Sequence, residues 1–192
     1  MGDHRFNPVK KDKLFNDDRI ERLKPKEMLL NFGLDKGDCF ADIGAGNGFF
    51  AIPAAEIVGE NGHIFAVDIE NIMLADLISR AKEAGVSERI EIVKSTKYAA
   101  HLTGKVDYML FSYLIHEVDK KDFFLENYFR YLKSGSTAVF VEWSKNEDVD
   151  GPPLEHRIGR EELKEIVENR GIKNIKIEDR GEKNYILWGE KK

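Results

Sequence analysis

Residues 40–50 read FADIGAGNGFF, and this stretch decides the fold of the 192-residue chain. A short apolar run leads to Asp42, and three glycines at alternate positions then run into a predicted helix. Glycine tolerates positive φ and lets backbone amides approach a ligand closely. The helix that follows directs its positive end and its free N–H groups at the same place. The stretch therefore predicts a ligand-binding turn between a buried strand and a helix.

A second apolar run, His63–Asp68, ends in a carboxylate about twenty residues further on. In doubly wound sheets an acid at this spacing holds the hydroxyls of a ribose. We therefore expect a nucleoside-containing cofactor between residues 44–48 and Asp68. The third glycine comes one residue earlier than in the dinucleotide pattern G-x-G-x-x-G. Asp42 would also repel a pyrophosphate, whereas it could help to hold an ammonium group.

Four segments in the same order resemble the class I S-adenosylmethionine-dependent methyltransferases. Residues 42–48 resemble the family's first motif, and residues 66–70 (AVDIE) resemble the acidic end of its second strand. Residues 106–117 (VDYMLFSYLIHE) resemble the fourth strand with the turn after it, and residues 132–136 (LKSGS) the lead into the fifth. The resemblance covers roughly residues 34–191. The chain resembles small bacterial and archaeal members of the family that are related to quinone C-methylating and arsenite-methylating enzymes. The arsenite branch relies on several cysteines, whereas this chain has one.

Predicted strands and helices alternate along the chain, which is typical of right-handed βαβ units and of a parallel sheet covered on both faces. The predicted strands are residues 39–43, 63–68, 89–93, 106–111 and 137–143, and the predicted helices are residues 48–58, 72–84, 121–132 and 160–170. Residues 175–178 and 185–188 are predicted to form a hairpin. The resemblance implies that the seventh strand is inserted antiparallel between the fifth and the sixth. The expected fold is thus a Rossmann-like, doubly wound α/β sheet of seven mostly parallel strands, with helices on both faces.

The expected domain organisation is a strap and short helix over residues 1–33, acting as a lid, and one methyltransferase domain over residues 34–192. The resemblance implies S-adenosyl-L-methionine as cofactor and S-adenosyl-L-homocysteine as product. Ile69 and Met73 are expected either near the adenine or in the core. Many relatives place an acid after the third strand for the adenine amino group, but Ser95 and Thr96 stand there in this chain. The expected cofactor-binding set is Asp42, Gly44, Ala45, Gly46, Asn47, Gly48, Asp68, Ile69, Met73, Ser95, Thr96 and Ser112, the last through its main chain.

His116 is the candidate catalytic residue, because an imidazole at the mouth of the pocket can accept a proton from a substrate nucleophile near neutral pH. The family often has a histidine here without a catalytic role, so a structural role is the alternative. Candidates for the substrate side come from the N-terminal strap, the end of the fifth strand and the loop after it: His4, Phe6, Glu142, Trp143, Pro152, His156 and Arg157. No His/Cys spacing indicates a metal site.

The composition is that of a single globular domain, with 42% hydrophobic and 34% charged residues. A net charge of −5 argues against nucleic acid as the main partner and leaves a small-molecule acceptor as the expectation. No apolar run is long enough to span a bilayer, and the single cysteine, Cys39, fits a cytoplasmic protein. Methyl transfer is an in-line displacement, for which the protein mainly supplies alignment and a dry pocket. Two alternatives stay open, a nicotinamide-dependent oxidoreductase and a non-catalytic cofactor-binding module of the same fold.

Overall fold

A single seven-stranded sheet organises the computed structural model, which describes residues 17–147, 149 and 151–192. The strands are β1 Cys39–Ile43, β2 His63–Asp68, β3 Ile90–Lys94, β4 Val106–Ser112, β5 Leu132–Trp143, β6 Ile172–Arg180 and β7 Asn184–Lys191. Their order in the sheet is β3-β2-β1-β4-β5-β7-β6. Strand β7 pairs antiparallel with β5 and with β6, whereas the pairs among β1 to β5 are parallel. The predicted sheet and its antiparallel insertion are therefore confirmed.

Helices cover both faces of this sheet. They are α1 Asp17–Leu23, α2 Pro25–Asn31, α3 Ala51–Val58, α4 Asn71–Glu83, α5 Lys121–Phe129 and α6 Arg160–Asn169. Side chains of α5 and α6 pack in one buried cluster on one face, and side chains of α2, α3 and α4 pack in a second cluster on the other. Among the described residues, no helix is long and apolar enough to cross a membrane.

The central strands are apolar on both faces because helices cover both faces. In β4, Met109 and Phe111 belong to the α5/α6 cluster, and Leu110 between them belongs to the opposite cluster. Successive side chains of a strand point to opposite faces, so such a strand reads as a continuous apolar run. Phe111 stacks on Phe140 of β5 with ring centroids 4.9 Å apart and an interplanar angle of 6°. Burying an aromatic side chain of this size contributes about 1.5–3 kcal/mol.

Most element boundaries differ from the sequence prediction by one to five residues, and two of these differences have a clear cause in the structure. Helix α3 begins at Ala51 and not at Gly48, because Gly48 has φ +93°, which lies outside the helical region. Strand β5 begins at Leu132 rather than at Thr137, since Leu132 already pairs with Val106 before the register shifts. Strands β6 and β7 are likewise longer than the predicted hairpin arms.

The N-terminal helices lie on the same face as α3. Met28 and Leu29 of α2 are buried in the cluster that α3 shares, and Pro25 occupies the first position of α2, where its missing N–H costs nothing. Residues 1–16, which include the substrate-side candidates His4 and Phe6, lie outside the described residues. The lid predicted for residues 1–33 stays a prediction.

Candidate functional site

The carboxyl ends of four neighbouring strands form the edge of the sheet that carries the predicted site. Asp42 lies near the end of β1, Asp68 ends β2, Ser112 ends β4 and Glu142 lies near the end of β5. The chain turns to opposite sides of the sheet from β1 and β4, which are adjacent in it. In open α/β sheets this switch point is where ligands bind.

The glycine turn after β1 is fastened to the neighbouring strand through its own amides. The N–H groups of Gly44 and Ala45 both donate to the carbonyl of Val67, at 2.8 and 2.9 Å. Gly44 has φ +79°, and a Cβ at this position would lie 3.2 Å from a side-chain methyl of Leu114. The positive φ therefore favours glycine here, and a side chain would in addition crowd Leu114.

Asp68 joins the end of β2 to the glycine turn. Its Oδ2 accepts a hydrogen bond from the Gly46 N–H and its Oδ1 one from the Glu70 N–H, both at 2.8 Å. Burial raises the pKa of Asp68 above its ordinary value, although these two amides oppose the rise. Each carboxylate oxygen offers a second acceptor position. Asp68 can therefore fix the turn and still accept hydrogen bonds from a diol.

Asp42 is a buried carboxyl group beneath the glycine turn. It is 1% exposed, and within the part of the chain the structure describes neither of its oxygens accepts a well-formed hydrogen bond. Burial, followed by the charge of Asp68, raises the pKa of Asp42 from 3.8 to about 7, although the Ala51 amide and Arg19 lower it in part. A buried acid of this kind is stabilised by a cation with N–H donors. The site fits the ammonium group of S-adenosylmethionine on this ground.

The other predicted cofactor residues surround this edge. Met73 of α4 is 3% exposed, and Ile69 before it is half-buried. The Ser95 N–H donates to the Asp68 carbonyl at 3.0 Å, and the Thr96 hydroxyl donates to the Ala99 carbonyl at 2.9 Å, so these two residues shape the loop after β3. Three further members of the expected set are also buried or half-buried at this edge: Ala45, Asn47 and Ser112.

His116 and Glu142 form a hydrogen-bonded pair. The imidazole Nδ1 lies 2.8 Å from Glu142 Oε2, and the His116 backbone N–H donates to Glu142 Oε1 at 3.2 Å. Glu142 is fully buried and the His116 side chain is 7% exposed. Burial by itself lowers the pKa of His116, but the hydrogen bond and charge of Glu142, with the charge of Glu117, raise it above the ordinary value. The carboxylate thus orients the ring, as the acid of a catalytic triad does, and leaves Nε2 on the far side.

Sequence reasoning named both residues of this pair but did not predict that they interact. The register of β4 beside β5 is what brings the turn after β4 to Glu142. Tyr113, directly after β4, has φ +54°, a conformation that non-glycine residues rarely adopt. Its ring lies 4.9 Å from that of Trp143. These two aromatic rings therefore stand beside the pair at the end of β5.

Arg157 stabilises the loop after β5. Its guanidinium donates to the carbonyls of Ser144, Asn146, Val149 and Pro152 at 2.8–3.0 Å. Four of its five N–H groups are thereby used, and the residue is 6% exposed. The structure therefore gives Arg157 a loop-stabilising contact set rather than a substrate-facing one. His156 lies half-buried in the short 3-10 turn Leu154–His156, directly before it.

Arg19, which sequence reasoning did not single out, lies at the same edge. Its guanidinium carbon is 4.2 Å from the ring centroid of Phe49 and 5.1 Å from that of Tyr113. Its sequence context, the highly charged helix α1, gives no signal that one arginine turns inward.

Two clefts of about 570 and 480 Å³ lie away from the glycine turn. The first lies at the start of α6, where Arg160 pairs with Asp179 at 2.7 Å, and the second lies beside Phe32 and Trp188. Neither cleft is lined by a residue of the predicted sites. The site at the glycine turn is therefore not identified by a cleft but by its charges and backbone geometry. Among the described residues there is no group of three or more His, Cys, Asp or Glu side chains able to hold a metal ion.

Comparisons with known proteins give a family match and several likenesses. Residues 34–178 match the family model described as a methyltransferase domain. The ubiquinone/menaquinone biosynthesis C-methyltransferase UbiE of Vibrio vulnificus is 31% identical over 129 residues, which cover 66% of this chain and 49% of that protein. The chain therefore spans about half the length of such relatives.

Solved structures share the whole architecture. A SAM-dependent methyltransferase from Aquifex aeolicus is 27% identical with a TM-score of 0.87, and the likeness covers 96% of this chain and 98% of that one. The [4+2]-cyclase SpnF is 19% identical with a TM-score of 0.74, covering 92% of this chain and 85% of that one, and this likeness concerns the fold alone.

Proposed function

Since this chain belongs to the class I S-adenosylmethionine-dependent methyltransferases, we propose that it transfers a methyl group from that cofactor to a small-molecule acceptor whose nucleophilic atom loses a proton. The observation that carries the cofactor assignment is the buried carboxyl of Asp42 beneath the glycine turn, whose oxygens accept no well-formed hydrogen bond from the described residues. Bound S-adenosylmethionine supplies an electrophilic methyl group on a sulfonium. The residues of this chain bind the two reacting partners, orient them and exclude water from them.

The residues assigned to cofactor binding lie at three strand ends and in the glycine turn. Asp42 takes the ammonium group, and Asp68 takes the ribose hydroxyls with its remaining acceptor positions. The backbone of the glycine turn, held to β2 by the Gly46 N–H and its neighbours, lets the ligand approach without side chains in between. Ser112, whose hydroxyl is buried and has no hydrogen-bond partner among the described residues, lies at the next strand end.

The pair of His116 and Glu142 is assigned to proton removal. Glu142 accepts a hydrogen bond from Nδ1, so Nε2 is the atom that takes the proton of the acceptor, and the carboxylate stabilises the imidazolium formed. Relatives of this chain are named as C-methyltransferases of quinone biosynthesis. Methylation of a carbon on an electron-rich aromatic ring, or of a phenolic oxygen, releases a proton that such a base can accept. We therefore propose a hydroxylated aromatic compound as the acceptor class.

Titration calorimetry with S-adenosylhomocysteine tests the cofactor assignment. The wild-type protein is expected to bind it, and Asp68→Ala is expected to bind it much more weakly. No detectable binding by the wild type, or indistinguishable binding by Asp68→Ala, would rule the assignment out. Titration with NADH in parallel tests the oxidoreductase alternative, which the position of Asp42 under the turn disfavours because a carboxylate there repels a pyrophosphate.

Methyl transfer from tritiated S-adenosylmethionine to a panel of catechols, phenols and reduced naphthoquinones tests the acceptor class. Transfer by the wild type and its loss in His116→Gln and Glu142→Gln, with unchanged binding of S-adenosylhomocysteine, is the expected result. Tight cofactor binding without transfer to any member would favour the non-catalytic module, since a fold does not determine an activity and a [4+2]-cyclase shares this one. We also propose a cytoplasmic location, which the single cysteine supports.

A further inference from the structure

Helix α1 brings a cation to the proposed cofactor site. The guanidinium of Arg19 lies 4.2 Å from the ring centroid of Phe49 and 5.1 Å from that of Tyr113. Phe49 directly follows the glycine turn and Tyr113 directly follows β4, so the two rings stand on the two sides of the switch point. Arg19 therefore lies between the two strand ends at which the amino-acid part of the cofactor is assigned.

The charges of Arg19 and Asp42 act on each other. Arg19 lowers the pKa of Asp42, and Asp42 raises that of Arg19, each against a larger effect of burial. Burial lowers the pKa of Arg19 to about 10, so the guanidinium stays protonated at neutral pH. Its Nε is shielded from solvent. The site thus holds one cation and one acid whose charges interact, in surroundings of low dielectric where a charged ligand group is bound more strongly than in water.

An α-amino acid carries an ammonium group and a carboxylate on the same carbon, and a neighbouring acid and cation are the complement of that arrangement. We propose that Arg19 binds the α-carboxylate of S-adenosylmethionine while Asp42 binds its ammonium group, an assignment that rests on the function proposed above. Contacts with the rings of Phe49 and Tyr113 hold the guanidinium in place. Its N–H groups lie in its plane and match the two oxygens of a carboxylate.

The assignment makes Arg19 a specificity residue. It selects a ligand whose amino-acid part is intact over one that has lost the carboxylate. A residue that only balanced the charge of Asp42 would have no such preference, because removing it would affect both ligands through Asp42 alone. The carboxylate of the ligand is therefore the group to vary together with Arg19.

Titration calorimetry with two probes tests this on the full chain: S-adenosylhomocysteine and its analogue that lacks the carboxylate. The variants are Arg19→Gln, Arg19→Lys and, as a control, Lys26→Gln, which removes an exposed cation paired with Glu56 on the surface. Thermal unfolding of each variant verifies that it is folded.

Arg19→Gln is expected to weaken S-adenosylhomocysteine binding about 10- to 100-fold and to change binding of the analogue less than about threefold. Arg19→Lys, which keeps the charge but loses the planar fork, should fall between, and Lys26→Gln should bind both probes as the wild type does. Equal losses for both probes, or no loss for either, overturn the role of Arg19 while leaving the proposed function intact. A wild type that binds neither probe overturns the proposed function, and this assignment with it.

Discussion

Replacing Asp42 by asparagine is expected to stabilise the ligand-free protein above neutral pH while weakening its binding of S-adenosylhomocysteine. The folded-state pKa of Asp42 is raised from 3.8 to about 7, mainly by burial. Between these values the folded state holds a proton that the unfolded chain has released. The contribution of Asp42 to the free energy of unfolding therefore falls as pH rises from about 4 to about 7, by on the order of 4 kcal/mol in total, and does not change further above pH 7. An asparagine side chain does not ionise, so the variant does not lose this stability as the pH rises.

Thermal unfolding of both proteins between pH 5 and pH 8.5, followed by circular dichroism, measures the difference. The advantage of Asp42→Asn should be about 5 °C at pH 5 and should grow to about 13 °C at pH 8, since 1 kcal/mol corresponds to roughly 2–4 °C for a chain of this size. Glu126→Gln, which removes an exposed carboxylate from α5, is the control and should show no comparable trend.

Binding should change in the opposite direction. Wild-type affinity for S-adenosylhomocysteine should fall about tenfold for each pH unit below 7, because Asp42 must be ionised to pair with an ammonium group. Asp42→Asn should bind more weakly at pH 8 and show little of this dependence. A variant that melts below the wild type at pH 8, or a difference in melting temperature that does not vary with pH, would refute the reasoning.

Three further substitutions probe the rest of the site. Asp68→Ala removes the acceptor of two amide hydrogen bonds and of the ribose hydroxyls, so the calorimetric Kd for S-adenosylhomocysteine should rise about 100-fold, and a change below threefold would contradict the ribose assignment. Glu142→Gln removes the charge that raises the pKa of His116, so the rising limb of the kcat–pH profile should move to lower pH while its plateau falls about 100-fold, and an unmoved limb would argue against His116 as the base. Arg157→Leu leaves four carbonyls without their donor, so the free energy of unfolding should fall by about 3 kcal/mol and residues 144–153 should be cut faster by protease. Lost affinity at an unchanged melting temperature would instead assign Arg157 to a ligand.

The strands and their order could be predicted from the sequence because the information is local or comes from the family resemblance. Residues 39–43 and 63–68 are bounded by polar and glycine signals, and the structure has both strands at these positions. The start of α3 could not be predicted from periodicity, since Gly48 looks like the first residue of an apolar helix until its φ is known. Glycine can adopt both helical and left-handed backbone conformations, so its presence does not determine at which residue the helix begins.

The side-chain pairings of the site were beyond sequence reasoning for a different reason. Whether Glu142 touches His116 depends on the register of β5 against β4 and on the turn at Tyr113. Whether Arg19 turns inward depends on packing between segments far apart in the chain, and nothing in its neighbours distinguishes it from Arg22. In the sequence Arg157 looks like a substrate-side residue because it lies in the loop after β5, and loops on this rim of the sheet commonly contact substrates. Its four carbonyl acceptors follow from the path of a loop that has no sequence signature.

The insertion of β7 between β5 and β6 has a consequence for the order of folding. Strands β1 to β4 can associate as soon as they are synthesised, but one edge of β5 stays open until the hairpin of β6 and β7 has been made and has docked. Pairing of β5 with β7 joins segments far apart in the chain and is therefore slow. Until it forms, the unpaired edge of β5 is prone to association with other chains. The end of β5 carries Glu142, whose carbonyl accepts a hydrogen bond from Asn184 of β7. The cofactor half of the molecule can therefore assemble early, whereas the half that holds the proton acceptor is completed last.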